Sequence, residues 1–159
     1  MAHEGLYTAY QGVSGYMREA LQKVLNKHDG AKFYFTGFGV GGALATFGSL
    51  EVKKLVGHAD MLYTFGQPRV GNEAFADEVK TSVPERYRVI CYADIVPQLP
   101  PQTPVAYSHF SFEIWYDEGM TKYKQCGAEE YSCSKSLFPW KWSTNDHNPS
   151  KYEKLASVS

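Results

Sequence analysis

Four glycines within ten residues, in Thr36-Gly37-Phe38-Gly39-Val40-Gly41-Gly42-Ala43-Leu44-Ala45, are the sharpest local signal in this chain of 159 residues. Just before them, Lys32 to Thr36 (Lys-Phe-Tyr-Phe-Thr) is short and aromatic and is bounded by glycines, the pattern of a buried strand. Just after them, Ala43 to Leu55 is rich in helix formers, with Leu44, Phe47, Leu50 and Leu55 on one stripe. The glycines therefore fall on a tight turn from a strand into a helix N-terminus.

The same alternation continues on both sides. Tyr10, Val13, Met17, Leu21, Val24 and Leu25 recur every three or four residues and predict an amphipathic helix, with Gly30 as its stop. Met61 to Phe65 reads as a strand, Glu73 to Ser82 as a helix and Tyr87 to Tyr92 as another strand. Helices alternating with short apolar strands predict an α/β fold, a parallel sheet covered on both faces. After Asp94 the character changes. Pro97, Pro100, Pro101 and Pro104 break up a loop, Tyr107 to Tyr116 alternates like an exposed antiparallel strand, and the last dozen residues read as a terminal helix.

Composition sets the limits. Hydrophobic content of 43% and charged content of 21% suit one globular domain spanning residues 1–159. Sixteen basic and 17 acidic side chains give a formal charge of −1, which provides no basis for binding nucleic acid. No apolar run nears the ~20 residues of a transmembrane helix. Met-Ala-His-Glu-Gly has no apolar core, so the chain as written carries no secretory signal. Cys126 and Cys133, seven positions apart in a polar stretch, suit a loop-closing disulfide, with two free thiols as the alternative. Cys91, inside an apolar strand, reads as a buried thiol. His3, His28, His58 and His109 have no metal-ligand spacing, so neither metal nor cofactor is expected. Lys53-Lys54 and Glu129-Glu130 read as solvated faces.

The glycine turn admits three chemistries. A serine nucleophile sits on such a strand–turn–helix as Gly-x-Ser-x-Gly, with the next backbone N–H and the helix end stabilising an oxyanion. Gly37 and Gly41 are the flanking glycines of that pattern, and the Val40 N–H is the oxyanion donor. Gly39, which has no side chain, stands at the nucleophile position. Gly37, Gly39 and Gly42 also spell Gly-x-Gly-x-x-Gly, a dinucleotide fingerprint, with Asp60 near the spacing of its acidic partner. The third reading is a tight turn with no site.

Blocks along most of the chain resemble the class 3 (fungal-type) lipases. They are His3-Glu4-Gly5-Leu6, the glycine turn, Tyr63-Thr64-Phe65-Gly66-Gln67-Pro68-Arg69-Val70-Gly71-Asn72, Asp94-Ile95-Val96-Pro97, Leu99-Pro100-Pro101, Glu113-Ile114-Trp115-Tyr116, Cys133-Ser134 and Asp146-His147. The cysteine pair and the Trp-Tyr segment look most like secreted nematode members. The resemblance implies an α/β-hydrolase-type, mostly parallel sheet flanked by helices, and an ester or triacylglycerol hydrolase. Its serine–aspartate–histidine triad maps onto Gly39, Asp94 and His147. The family's His-Ser-Leu is replaced by Phe38-Gly39-Val40, and Asn148-Pro149 follows the histidine where the family has Leu and a nearby Tyr. Ser49, Thr36 and Ser108 do not occupy the turn. The resemblance also implies that the chain starts after the family's early strands, second oxyanion donor and lid. The expectation is therefore an impaired lipase relative that retains an acyl lipid or ester ligand. Its strand Lys32–Thr36, left at a sheet edge, would pair with a second copy or with a preceding segment. Phe138, Trp140 and Trp142 would lie near the site mouth, either meeting lipid or packed into a cluster.

Overall fold

A computed structural model describes residues 1–154. The chain runs α1 (Glu4–Leu25), β1 (Tyr34–Phe38), α2 (Val40–Val56), β2 (Met61–Phe65), β3 (Gly71–Asn72), α3 (Glu73–Ser82) and β4 (Glu85–Cys91). It continues through β5 (Tyr107–Ser108), β6 (Phe112–Tyr116), β7 (Tyr123–Cys126) and α4 (Pro149–Glu153), with short 3₁₀ turns between. The main sheet has the order β1-β2-β4-β6-β7. Its first four strands are parallel, and β7 folds back antiparallel on β6. β3 and β5 form a separate two-residue ribbon.

Up to β4 the expected elements are all present, some with shifted ends. α1 begins at Glu4 because the His3 side chain caps it, accepting the Leu6 N–H. α2 begins at Val40, directly after Gly39, so the turn is tighter than the helix-former pattern indicates. Tyr107 to Tyr116 is not one antiparallel strand. Its first two residues pair with β3, and buried His109, Phe110 and Ser111 carry the chain into β6, which runs parallel to β4. At the C-terminus the helix is described over Pro149–Glu153, and residues 155–159 of the expected helix lie outside the described residues.

The two faces of the sheet differ. Tyr10 and Leu21 of α1, Phe47 and Val52 of α2, and Phe75 and Val79 of α3 share one core with Leu62 of β2. On the opposite face, Val89, Cys91 and Ile114 pack with Met120 and with Tyr152 of α4. The expected cover on both faces is thus uneven, and Tyr34, Phe112 and Tyr123 remain exposed. β1 is the terminal strand of the described sheet, as the edge expectation required.

Cys126 and Cys133 are disulfide-bonded. Cys91 is a buried free thiol, and burial pushes it up to about 12. Glu129 departs from its expected solvated role. Both of its oxygens accept from Arg69, and it also takes the His109 backbone N–H, so the disulfide loop is locked onto the segments that follow β2 and β5. Burial pushes the Glu129 carboxyl up, but the Arg69 bond and charge more than reverse this, leaving it below the usual range.

Candidate active site

Parallel strands end together, so the carboxyl ends of β1, β2 and β4 bring Gly39, Gly66 and Asp94 to one rim. The Gly39 N–H donates to Phe65 O at 2.8 Å and the Gly66 N–H to Val89 O at 2.9 Å, tying each turn to its neighbouring strand. The segment that brings His147 to this rim is anchored beside Asp94. Ser143 N–H donates to Ala93 O at 2.8 Å, and Asp94 and Ser143 form a parallel bridge.

Asp94 is buried, and its carboxylate has three donors. Oδ1 accepts the Val96 N–H at 2.9 Å; Oδ2 accepts His147 Nδ1–H at 2.9 Å and the Tyr152 hydroxyl at 2.5 Å. The Tyr152 oxygen in turn accepts the Cys91 N–H at 3.0 Å. Burial, then the Asp94 charge, raises the Tyr152 phenol well above its usual value, so it stays protonated as a donor. With Nδ1–H committed to Asp94, the neutral imidazole carries its lone pair on Nε2. The ring stacks on Phe38, with centroids 4.4 Å apart and planes inclined by 20°.

The lone-pair side of the ring faces Gly39. A Cβ built on Gly39 would lie 2.9 Å from His147 Nε2. Gly39 itself has φ 54° and ψ −123°, a backbone bend that costs a side-chain-bearing residue on the order of 1–3 kcal/mol. Val40, the first residue of α2, keeps its N–H among those without an intrahelical acceptor. The close approach of strand to helix rests on Gly37, where a Cβ would lie 2.3 Å from Gly41 O. A Cβ on Gly41 would meet nothing within 4 Å, so Gly41 is not glycine for lack of space.

Asp60 does not serve the dinucleotide reading. It sits before β2, at the opposite end from Gly39, and accepts the Phe33 N–H at 2.7 Å. Ser49 is buried in α2 and donates to Thr46 O.

A class 3 lipase model matches residues 1–103. The chain belongs to the class 3 lipase family. Secreted mono- and diacylglycerol lipase 1 of Fusarium solani is 38% identical over 117 residues, 74% of this chain and 34% of that protein. A lipase of Caenorhabditis elegans is 30% identical over 158 residues, 77% of this chain and 43% of that one. Among solved structures, lipase II from Rhizopus niveus superposes with a TM-score of 0.83 at 29% identity, over 92% of this chain and 57% of its own. The chain thus spans 34% and 43% of these two curated relatives. The fold is that of the family's α/β-hydrolase sheet.

Two residues of this lipase-family rim escaped the sequence reading. Gly66 has φ 55°, and a Cβ there would lie 2.8 Å from Asp94 Oδ2 and 2.9 Å from His147 Nδ1. The signal was available: Phe65-Gly66 ends its strand as Phe38-Gly39 ends the one beside it. Tyr152 stands five positions after His147, and the resemblance had asked for a tyrosine nearby.

Proposed function

We propose that this chain is a lipase-family protein with an assembled acid–base pair and no nucleophile, a pseudoenzyme toward acyl lipids. In this reading His147 is the base, Asp94 holds its tautomer and would stabilise the imidazolium, and the Val40 N–H is the oxyanion donor. One observation supports the proposal most: a Cβ at Gly39 would lie 2.9 Å from His147 Nε2.

Without a hydroxyl at that point no acyl-enzyme forms. Loss of the serine in a comparable triad costs on the order of 10⁶ in turnover. The catalysis that survives, on the order of 10³–10⁴ over water, comes from binding and the oxyanion hole. Retention of an acyl ligand is supported by an apolar recess of about 290 Å³ beside the pair, lined by Phe38, Phe65, Pro149 and Tyr152. The acylglycerol class comes from the names of the relatives. A secreted location is supported by the disulfide and by the Fusarium relative, whose name says that it is secreted.

The test compares ester hydrolysis and fluorophosphonate labelling of the native chain and of Gly39→Ser. The native chain should neither label nor turn over short-chain esters, and the variant should do both. Lipase-like turnover with labelling of the native chain would sink the proposal.

A second reading, an interaction module, rests on β1, which ends the described sheet with Tyr34 and Thr36 exposed. An edge of this kind pairs readily with a second copy or with a preceding segment. Sedimentation of the chain as a monomer with the edge still open would count against it.

A further inference from the structure

We infer that the recess between α1, α2 and α3, on the face of the sheet opposite Tyr152, is a binding site for a small aromatic carboxylate. The inference does not rest on the acyl-lipid reading, and the recess shares no residue with the Gly39–His147 mouth.

Tyr7, Tyr10, Ser14 and Arg18 recur every three or four residues and form one stripe of α1, about 16 Å long at 1.5 Å per residue. Phe47, Glu51 and Lys54 form the facing stripe of α2, and Phe75 reaches in from α3. Between them lies a recess of about 450 Å³, the size of a small-ligand site. Its two ends differ. At one end the rings form a chain. The Phe47 centroid lies 5.5 Å from that of Tyr7, 5.3 Å from Tyr10 and 5.6 Å from Phe75. At the other end Glu51 is buried and accepts the Arg18 Nε–H at 2.6 Å, with Lys54 Nζ 3.5 Å from its second oxygen.

The Tyr10 hydroxyl lies between the two ends and is what a ligand would satisfy. Tyr10 is only 5% exposed, and its hydroxyl has no hydrogen-bond partner among the described residues. Burial, then the Glu51 charge, pushes the phenol up to about 12, so it keeps a hydrogen to donate. Glu51, Arg18 and Tyr7 all act on it electrostatically, which aims the hydroxyl at the recess those three residues line. A buried donor without an acceptor is costly, and an oxygen from a ligand would complete it.

Charge selects that oxygen. Arg18 and Lys54 face Glu51, so this end carries one excess positive charge. The neighbouring Glu19 is paired with Lys23, and Glu78, the other acid of the recess, stands one turn after Phe75 at the aromatic end. The bond to Glu51 uses Arg18 Nε, which leaves the terminal nitrogens of the guanidinium fork for a second carboxylate. A monoanion balances the excess, whereas a phosphate dianion would overshoot it beside buried Glu51. A flat ring suits the aromatic end better than a flexible chain, which loses more rotamer freedom on binding.

The experiment titrates the full chain with 1-naphthoate, read by calorimetry and by amide NMR shifts. Binding should move the amides around Tyr10, Phe47 and Glu51, leave those of Phe38 and His147 in place, and weaken with added salt. Tyr10→Phe should weaken binding about tenfold. It should leave the urea midpoint unchanged or raised, because the hydroxyl holds nothing in the fold. Glu51→Gln should tighten binding by about threefold or more, since it removes the charge that competes for Arg18 and Lys54. The same midpoint checks that this isosteric variant folds. Octanoate and 1-naphthylmethylamine, which lack the ring and the carboxylate respectively, should each bind about tenfold more weakly. Absence of binding, equal affinity in Tyr10→Phe, no tightening in a folded Glu51→Gln, a preference for octanoate or the amine, or shifts centred on Phe38 and His147 would each overturn the inference.

Discussion

Gly39 and Gly66 follow Phe38 and Phe65, which are register partners on adjacent parallel strands, and both turn with positive φ, 54° and 55°. A Cβ at either would run into His147, but into different parts of it. At Gly66 it would wedge between Asp94 Oδ2, 2.8 Å away, and His147 Nδ1, 2.9 Å away, the two atoms of the bond that orients the ring. At Gly39 it would meet only the outer edge of the ring, Nε2 at 2.9 Å and Cε1 at 3.2 Å. The carboxylate cannot retreat, since its side chain is 0% exposed and three donors hold it, whereas the imidazole is 21% exposed. Glycine at 66 is therefore demanded by its surroundings. At 39 only the bend and one movable ring favour it, and that bend is the one a nucleophile elbow uses.

This difference is broken or sharpened most directly by restoring the hydroxyl. Gly39→Ser should raise ester turnover by up to about 10⁶-fold if the helpers are fully placed. It should cost roughly 1–3 kcal/mol of stability for a side chain in the bend. A p-nitrophenyl ester assay beside urea unfolding reads both effects, and a stable, folded variant without activity would mean that Asp94 and His147 are misassigned. Gly66→Ala should cost more than Gly39→Ala, roughly 2–6 kcal/mol, because strain and a contact with no escape add. Placed on top of Gly39→Ser, it should abolish the gain. Equal costs for the two alanine variants, measured by denaturant unfolding, would remove the distinction.

Much of this rim was legible because it depends on local pattern. The glycine turn, the strand before it and the helix after it announce themselves by spacing, and Asp94 stands just past an apolar strand. The contacts were not legible, because they join residues far apart in sequence. Tyr152 reaches Asp94 across 58 positions, and Glu129 reaches Arg69 across 60. A Glu-Glu pair in a polar stretch looks solvated, and Glu130 is, until the disulfide loop brings Glu129 onto Arg69. The split of Tyr107–Tyr116 was hidden for a related reason: period-two alternation runs on through His109–Ser111, while burial of those residues decides that the chain turns there.

The carboxylate's immobility, on which the contrast between the glycines depends, has its own test. Tyr152→Phe removes one of three donors to buried Asp94 and should cost about 1–3 kcal/mol in urea unfolding. In the Gly39→Ser background it should also lower turnover, because the ring is then oriented by a looser acid. A loss of stability with turnover untouched would show Tyr152 to be a packing residue only.

The smallest effect separates a second pair, the two histidines that flank the Asp94–Pro97 turn. His147 bonds the carboxylate, whereas His109 is buried with Nε2 2.8 Å from Pro97 O and Nδ1 without a partner among the described residues. Burial, reinforced by the charges of Arg88 and Arg69, pushes the His109 imidazole well below its usual value, so the folded state holds it neutral. The unfolded chain takes up that proton below about pH 6.5, and the folded chain does not. Stability should therefore fall as pH drops through that value, by about 1.4 kcal/mol per pH unit for one proton. The Arg69–Glu129 pair adds its own loss only below the ordinary carboxylate range, so the window between about pH 6.5 and 5 isolates the histidine. His109→Gln keeps a donor for Pro97 O and should flatten the slope in that window. An unchanged slope in urea unfolding would mean that the proton is taken up elsewhere, and that burial of this imidazole does not set the acid limit of the fold.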